Sequence, residues 1–325
     1  MPGGHRTLNL PRRDCQAFFG RRRLGGAVCL ILLFSAGVGG PLSGGEGTGA
    51  TSIPFEMVKH QILLPVRLGE GAGPYFFLLD TGVNPSGIDL ALARELGLVE
   101  GDQPVGEAGG VGNDKVFIYA ATIKSARLGG LPLEAIPAVA MDFTGLGKRL
   151  GRPLHGILGY SFLKGRIVRI DYPQRQVVLL PAGFHYQGKP AFREPLVFVA
   201  NDTMPLLESV AVNGKLLPLS LDTGSSLVLE LYPEGAAQAG VTAAPEDQTE
   251  ITGARGDEKA GLGQVQQIAL GELSQADCEV LLPPHQRPGN RLGNLGNGFL
   301  KHYVLTLDYV NAELIIEEPP ADRAD

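Results

Sequence analysis

A chain of 325 residues is long enough for one large domain or two medium ones, and its 44% hydrophobic content can fill a core. Its 46 glycines and 24 prolines favour turns and short strands over long helices. The net charge is −6 although six arginines crowd into residues 1–23, so the rest is strongly acidic and nucleic acid is excluded as the main partner.

The N-terminus reads as a targeting segment. In "GRRRLGGAVCLILLFSAGVGG" a basic patch precedes the apolar stretch Leu24–Val38. That stretch has the length of a signal-peptide core and is short for a membrane span. Ser35, Ala36 and Gly37 suit cleavage; if uncut, residues 24–38 would tether the chain to a membrane, with the arginines on the cytoplasmic side. The expectation is a protein exported to the periplasm or medium, or anchored by this segment, with residues 1–50 as targeting segment and Gly-rich spacer. Cys15 and Cys29 fall here, leaving Cys278 alone in the body. No disulfide can form within the body, and Cys278 reads as a small buried residue rather than a nucleophile.

The body then runs through one set of features twice. "QILLPVRLGEGAGPYFFLLDTG" predicts two strands joined by a Gly-rich turn; "LLESVAVNGKLLPLSLDTG" predicts the same through Asn213-Gly214, a strong hairpin signal. A short helix follows each: "DLALARELGLV" with Asp89 as cap and Gly97 as stop, and "YPEGAAQAGVT" with Pro233 near its start and Gly240 as stop. Gly-rich polar stretches come next, "GEAGGVGND" at 106–114 and "TGARGDEK" at 252–259, each leading into a further strand pair. The halves close on their best match, "GILGYSFLKGRIVRIDYPQRQVVLLP" against "GNLGNGFLKHYVLTLDYVNAELIIEE". This internal repeat divides the body into two homologous β-rich lobes, 51–186 and 187–325, with "GFHYQGKPAFRE" as connector.

The repeat carries the chemistry. Asp80 and Asp222 end corresponding apolar strands, each followed by Thr-Gly. A two-fold arrangement of lobes brings both carboxylates together at the axis. So close, they cannot both ionise easily and hold one proton between them. One then takes a proton from water while the other polarises a carbonyl, which is metal-free amide hydrolysis. Thr81 and Thr223 are placed to hydrogen-bond near the axis, and Gly82 and Gly224 let the backbone approach the carboxylates. Ser225 is expected to donate its hydroxyl to Asp222, while Val83 offers Asp80 nothing. Asp222 is therefore expected to ionise more readily, with Asp80 keeping the shared proton.

These motifs resemble the aspartic peptidases of the pepsin and retropepsin type. The resemblance rests on "LLDTGV" and "SLDTGSS", each with a later Gly motif, Ile157-Leu158-Gly159 and Leu295-Gly296, and covers most of residues 55–317. It looks most like bacterial two-lobed aspartyl-protease-like proteins, with retropepsin-like units fused in one chain. It implies an all-β fold of two β-barrel lobes around a cleft, later glycines packed under the catalytic loops, and Asp80 and Asp222 as the catalytic pair. It also implies flaps over bound peptide around Gly109-Gly110 and Gly253–Gly256. Three departures stand out: Val83 follows the first motif, Asn294 replaces an apolar residue in "NLG", and neither Gly-rich stretch carries an obvious flap tyrosine, Tyr119 lying downstream.

The expected function is a monomeric aspartic endopeptidase acting on peptide or protein substrates with no cofactor or metal. The alternative is a catalytically degenerate peptide-binding envelope protein on the same fold, suggested by Val83 and Asn84. The other candidates read as structural. Asp171 and Asp308 sit in strand-turn-strand patterns, His155 precedes a Gly motif, and the six histidines show no metal spacing. "GEGAG" at 69–73 reads as a hairpin turn, "GLGKR" lacks the upstream glycine of a phosphate loop, and Asn201-Asp202-Thr203 is a chance glycosylation triplet outside a eukaryotic host.

Overall fold

The computed structural model describes residues 13–14, 27–28, 49–70, 73–198, 203–287 and 289–319. The chain is half strand and about one-tenth helix, with curled sheets forming two lobes. Most of the targeting segment, and Asn201 and Asp202, lie outside the described residues. Two short strands from the N-terminal segment, Arg13–Asp14 and Ala27–Val28, pair with the second lobe's sheet. No described helix is long and apolar enough to cross a membrane.

Each lobe is built as the repeat predicts. Gln61–Leu68 pairs antiparallel with Tyr75–Leu79, and Pro205–Val212 with Lys215–Asp222. The second hairpin turns at Asn213 and Gly214, both at positive φ, as a two-residue turn between right-twisted strands requires. The predicted helices form at Leu90–Glu95 and Pro233–Ala239. Asp89 caps the first by accepting from the Ala91 and Leu92 amides, and Gly240 ends the second in the left-handed conformation. A further helix, Thr144–Leu150, forms where the sequence pattern showed none.

The lobes share a third sheet. Its order runs Phe192–Pro195, Glu313–Glu317, Val304–Asp308, Ile167–Asp171, Gln176–Leu180, Thr51–Pro54. At its centre the two repeat copies pair with each other, Arg169 opposite Thr306, positions 137 residues apart and equivalent in the repeat. The pseudo-two-fold axis passes through that pair. The connector therefore ends in a strand, Phe192–Pro195, rather than running free to 194. One apolar core runs unbroken through both lobes, from Ile62, Leu79 and Phe162 to Leu221, Phe299 and Leu305. Asp171 and Asp308 fold the turns of this sheet, accepting from the Gln174 amide and from the Val310 and Asn311 amides. Cys278 is buried as expected, and it is disulfide-bonded.

Candidate active site

Asp80 follows the strand Tyr75–Leu79, and Asp222 ends the strand Lys215–Asp222. Each strand runs parallel to a later Gly-motif strand of its own lobe, Leu79 beside Leu158 and Asp222 beside Gly296. The chain thus passes beneath each aspartate turn. A Cβ on Gly159 would lie 2.4 Å from the Val83 carbonyl, and one on Gly296 would lie 2.5 Å from that of Leu227. Only glycine allows so close a passage. The same backbone bond ties both levels, Tyr160 N–H to Val83 O at 2.8 Å and Asn297 N–H to Ser225 O at 2.9 Å.

At the axis the two turns lock together. The Thr81 amide donates to Thr223 Oγ1, and the Thr223 amide to Thr81 Oγ1, both at 3.0 Å. Each hydroxyl then donates to the opposite lobe, Thr81 to Leu221 O at 2.6 Å and Thr223 to Leu79 O at 3.0 Å. All four bonds are buried, so losing a partner would strand a polar group away from water. This is the pairing expected behind two facing carboxylates.

Both carboxylates are fully buried. A Cβ on Gly82 would lie 3.1 Å from Asp80 Oδ1 and 3.1 Å from Asp222 Oδ1, so those oxygens are at most twice that distance apart. A Cβ on Gly224 would fall 2.1 Å from Asp80 Oδ2. Among the described residues, Oδ2 of each aspartate is buried without a hydrogen-bond partner. Burial first, and then the Asp222 charge, hold the Asp80 carboxyl well above the ordinary carboxylate range. Burial and the nearby Glu230 carboxylate push Asp222 up to about 7, against the Gly224 and Ser225 amides and the Arg291 guanidinium, which favour its charge.

The aspartates are not equivalent. Asp222 Oδ1 accepts from Gly224 N–H at 2.9 Å and Ser225 N–H at 3.1 Å; among the described residues Asp80 Oδ1 accepts only from Gly82 N–H, at 2.7 Å. Ser225 therefore serves Asp222 through its amide rather than by the expected hydroxyl donation, and its Oγ accepts from the Leu227 amide. The Val83 side chain turns into an apolar cluster with Leu63, Leu78 and Ile157.

The comparison with protein families now decides the affiliation. The aspartyl protease family model matches residues 64–162 and 209–299, once in each lobe. The chain belongs to the aspartyl protease family. No curated protein matches it. Both matched segments contain one aspartate turn and the Gly motif beneath it.

The two Gly-rich stretches, one from each lobe, meet each other. The first is the loop between Gly106–Glu107 and Phe117–Ile123; the second is the hairpin of Gln248–Gly253 and Gly256–Leu270. Arg255 N–H donates to Val111 O at 2.9 Å, and Asp114 N–H to Arg255 O at 2.8 Å. The close approach falls at Gly112, whose Cβ would strike the Arg255 carbonyl. Gly110 instead accepts from Arg287 at 3.4 Å, and Gly253 and Gly256 pair at the hairpin end. The tips are exchanged. Val111 packs with Met204, Leu227, Ile251 and Leu281 of the second lobe, and Ala254 with Leu63, Leu78 and Ile157 of the first. Arg149 of the first lobe reaches Asp257 at 2.7 Å and Glu250 at 3.5 Å on the hairpin. Tyr119 stands under Arg94 in its strand, 5.2 Å from guanidinium to ring centre.

Several residues beside the pair escaped the sequence reading. Gln61 Nε2 donates to Gly224 O at 2.5 Å. Asn297 Nδ2 donates to Thr223 O at 2.6 Å and is itself bonded by the Tyr172 hydroxyl at 2.5 Å. Glu230 and Arg291 are wholly buried. Glu230 did leave a signal, a lone carboxylate inside the apolar run "SSLVLELYP". His155 is structural as read, its Nδ1 accepting from the Phe76 amide.

Proposed function

We propose that the chain is an aspartic endopeptidase, active as a monomer because both aspartates lie in one chain. The reading rests on one observation: the reciprocal Thr81–Thr223 bonds hold two buried carboxylates at the axis, each with an Oδ2 that no described group engages. Asp222, the better supplied with donors, acts as the base and takes a proton from a water between them. Asp80, the holder of the shared proton, polarises the peptide carbonyl. Water oxygen bonds to the carbonyl carbon, and the proton on Asp222 passes to the leaving nitrogen as the C–N bond breaks. Substrate lies extended beneath the flaps around Gly109, Gly110, Gly253 and Gly256, adding strand-like hydrogen bonds. Neither step uses a metal or cofactor. Export, or a membrane tether through residues 24–38, is proposed from the N-terminal sequence.

The test is cleavage of a peptide library by the full chain from acid to neutral pH, beside Asp80→Asn and Asp222→Asn. Cleavage by the wild type and by neither variant is expected. Cleavage that survives either change sinks the pair. The second reading, a peptide-binding protein that does not cut, is favoured by Asp80 having one donor among the described residues where Asp222 has two. Peptide binding without cleavage would select it.

A further inference from the structure

The two peptide groups that donate to Asp222 are themselves held from behind. Gly224 N–H and Ser225 N–H reach Asp222 Oδ1 at 2.9 and 3.1 Å. The carbonyls of those same two peptide groups are Thr223 O and Gly224 O. Each accepts from a buried carboxamide, Thr223 O from Asn297 Nδ2 at 2.6 Å and Gly224 O from Gln61 Nε2 at 2.5 Å. The Tyr172 hydroxyl donates in turn to Asn297 Oδ1 at 2.5 Å. Two chains of hydrogen bonds therefore end on one carboxylate oxygen. One runs from Tyr172 through Asn297 and the Thr223–Gly224 peptide, the other from Gln61 through the Gly224–Ser225 peptide. Gln61 and Tyr172 belong to the first lobe, so the Asp222 turn is braced from across the axis.

The equivalent positions behind Asp80 carry other chemistry. Tyr160 follows Gly159 as Asn297 follows Gly296, and each opens a short helix. Gln61 lies two residues before Leu63, which pairs with Leu78; Met204 lies two before Leu206, which pairs with Ser220. Leu78 and Ser220 each stand two residues before an aspartate, so Met204 is the counterpart of Gln61. The Tyr160 ring packs 6.1 Å from that of Tyr309 and 6.0 Å from that of Phe198. The Met204 thioether has no N–H to give and contacts Arg291. Tyr309, the counterpart of Tyr172, buries a hydroxyl with no hydrogen-bond partner among the described residues. Neither carboxamide has a copy in the other half of the repeat.

Resting on the reading of Asp222 as the base, we infer that Gln61 and Asn297 are positioning residues that hold Asp222 ready to ionise, with Tyr172 acting through Asn297. They touch neither the substrate nor the carboxylate. A hydrogen bond to a peptide carbonyl polarises that peptide and strengthens its N–H as a donor. Stronger donation to a carboxylate favours its charged form. Both carboxamides therefore stabilise ionised Asp222, and the Asp80 turn receives no such support from Tyr160 or Met204. The charged groups acting on Asp222 directly are Asp80, Glu230 and Arg291. Behind the turn His60 Nδ1 lies 3.3 Å from Ser226 O, with Lys301 Nζ 3.0 Å from His60 Nε2. The Tyr172 phenol stays protonated, its pKa pushed up by burial. Replacing a carboxamide leaves all of these in place, so its effect on Asp222 can be read separately.

The test is titration of Asp222 in the full chain, read in two ways. One is the acid limb of kcat/KM on a cleaved peptide. The other is the carboxyl ¹³C shift of labelled aspartate, with Asp222→Asn to assign the signal. Gln61→Met and Asn297→Leu keep nearly the same volume. Each should raise the Asp222 midpoint by about half a pH unit, which lowers kcat/KM about threefold on the acid side and keeps its plateau at higher pH. Tyr172→Phe leaves Asn297 in place and should raise the midpoint by less, so a folding failure of Asn297→Leu does not remove the test. Tyr160→Phe, at the position matching Asn297, should leave the midpoint where it is. An unmoved or lowered midpoint in both Gln61→Met and Tyr172→Phe overturns the inference, even where activity or stability falls, since a purely structural role would give that result. A wild type that cleaves nothing, with the ¹³C midpoints moving as stated, overturns the peptidase reading and upholds the positioning.

Discussion

The two aspartate turns share a backbone and differ in what surrounds it. Both pass over a Gly motif and both enter the threonine lock. After the glycine they part. Ser225 keeps its amide on Asp222, while among the described residues Asp80 has the Gly82 amide alone. Beyond the turns the second lobe buries Glu230, Asn294 and Arg291 where the first buries Gly87, Ile157 and Leu154. The lesson is that duplication preserved the frame that positions the carboxylates, while the side chains were free to make them unequal. Symmetry serves geometry; asymmetry gives the two carboxyls different surroundings.

Breaking the pair itself should have the largest effect. Asp80→Asn and Asp222→Asn should each reduce kcat/KM by about 10²–10⁴-fold or more, since each half supplies one partner of the proton exchange. Equal losses would show that the unequal surroundings do not make either aspartate dispensable.

The glycines separate the lobes more sharply. A methyl on Gly224 would overlap Asp80 Oδ2, and Gly224→Ala should match the aspartate variants in lost activity. On Gly82 the methyl meets carboxylate oxygens at 3.1 Å, a contact that small shifts relieve. Gly82→Ala should cost about tenfold, in keeping with overpacking penalties of about 1–3 kcal/mol. A reversed order in kcat/KM would contradict the placement of the two turns.

The lock is the symmetric control. Thr81→Val and Thr223→Val each leave one buried amide without its acceptor and one carbonyl without its donor. Each should lower unfolding free energy by about 1–3 kcal/mol in chemical denaturation, and the two losses should agree.

The smallest effects are those on pH dependence, and they test the asymmetry directly. The base must be ionised, so activity should rise as pH climbs toward about 7. Glu230 raises the Asp222 pKa and Arg291 lowers it. Glu230→Gln should move the acid limb of the kcat/KM profile to lower pH, and Arg291→Leu to higher pH. Shifts in the same direction would refute the assignment of Asp222 as base. Stability carries the same signature. A carboxyl with a raised folded pKa binds more protons folded than unfolded, so stability is lost as pH rises between 3.8 and about 7. Asp222→Asn should flatten that fall in thermal melts taken across this window.

The sequence by itself determined the two-lobed β fold, the turn aspartates, the helix caps at Asp89 and Gly240, and the pairing of Thr81 with Thr223. These are local signals repeated in order, and a repeat tells which positions must be equivalent about an axis. The tertiary structure decided everything that depends on contact between distant segments. The central pairing of Arg169 with Thr306 joins two strands that each looked complete as part of a local hairpin. Ser225 showed its hydroxyl in the sequence, yet its amide is what reaches Asp222, because turn geometry and not residue type chooses the donor. Gly112 receives the Arg255 carbonyl, a contact that only the folded lobes create. Glu230 and Arg291 were visible as charges, but only packing places them beside Asp222, where burial keeps water from screening them.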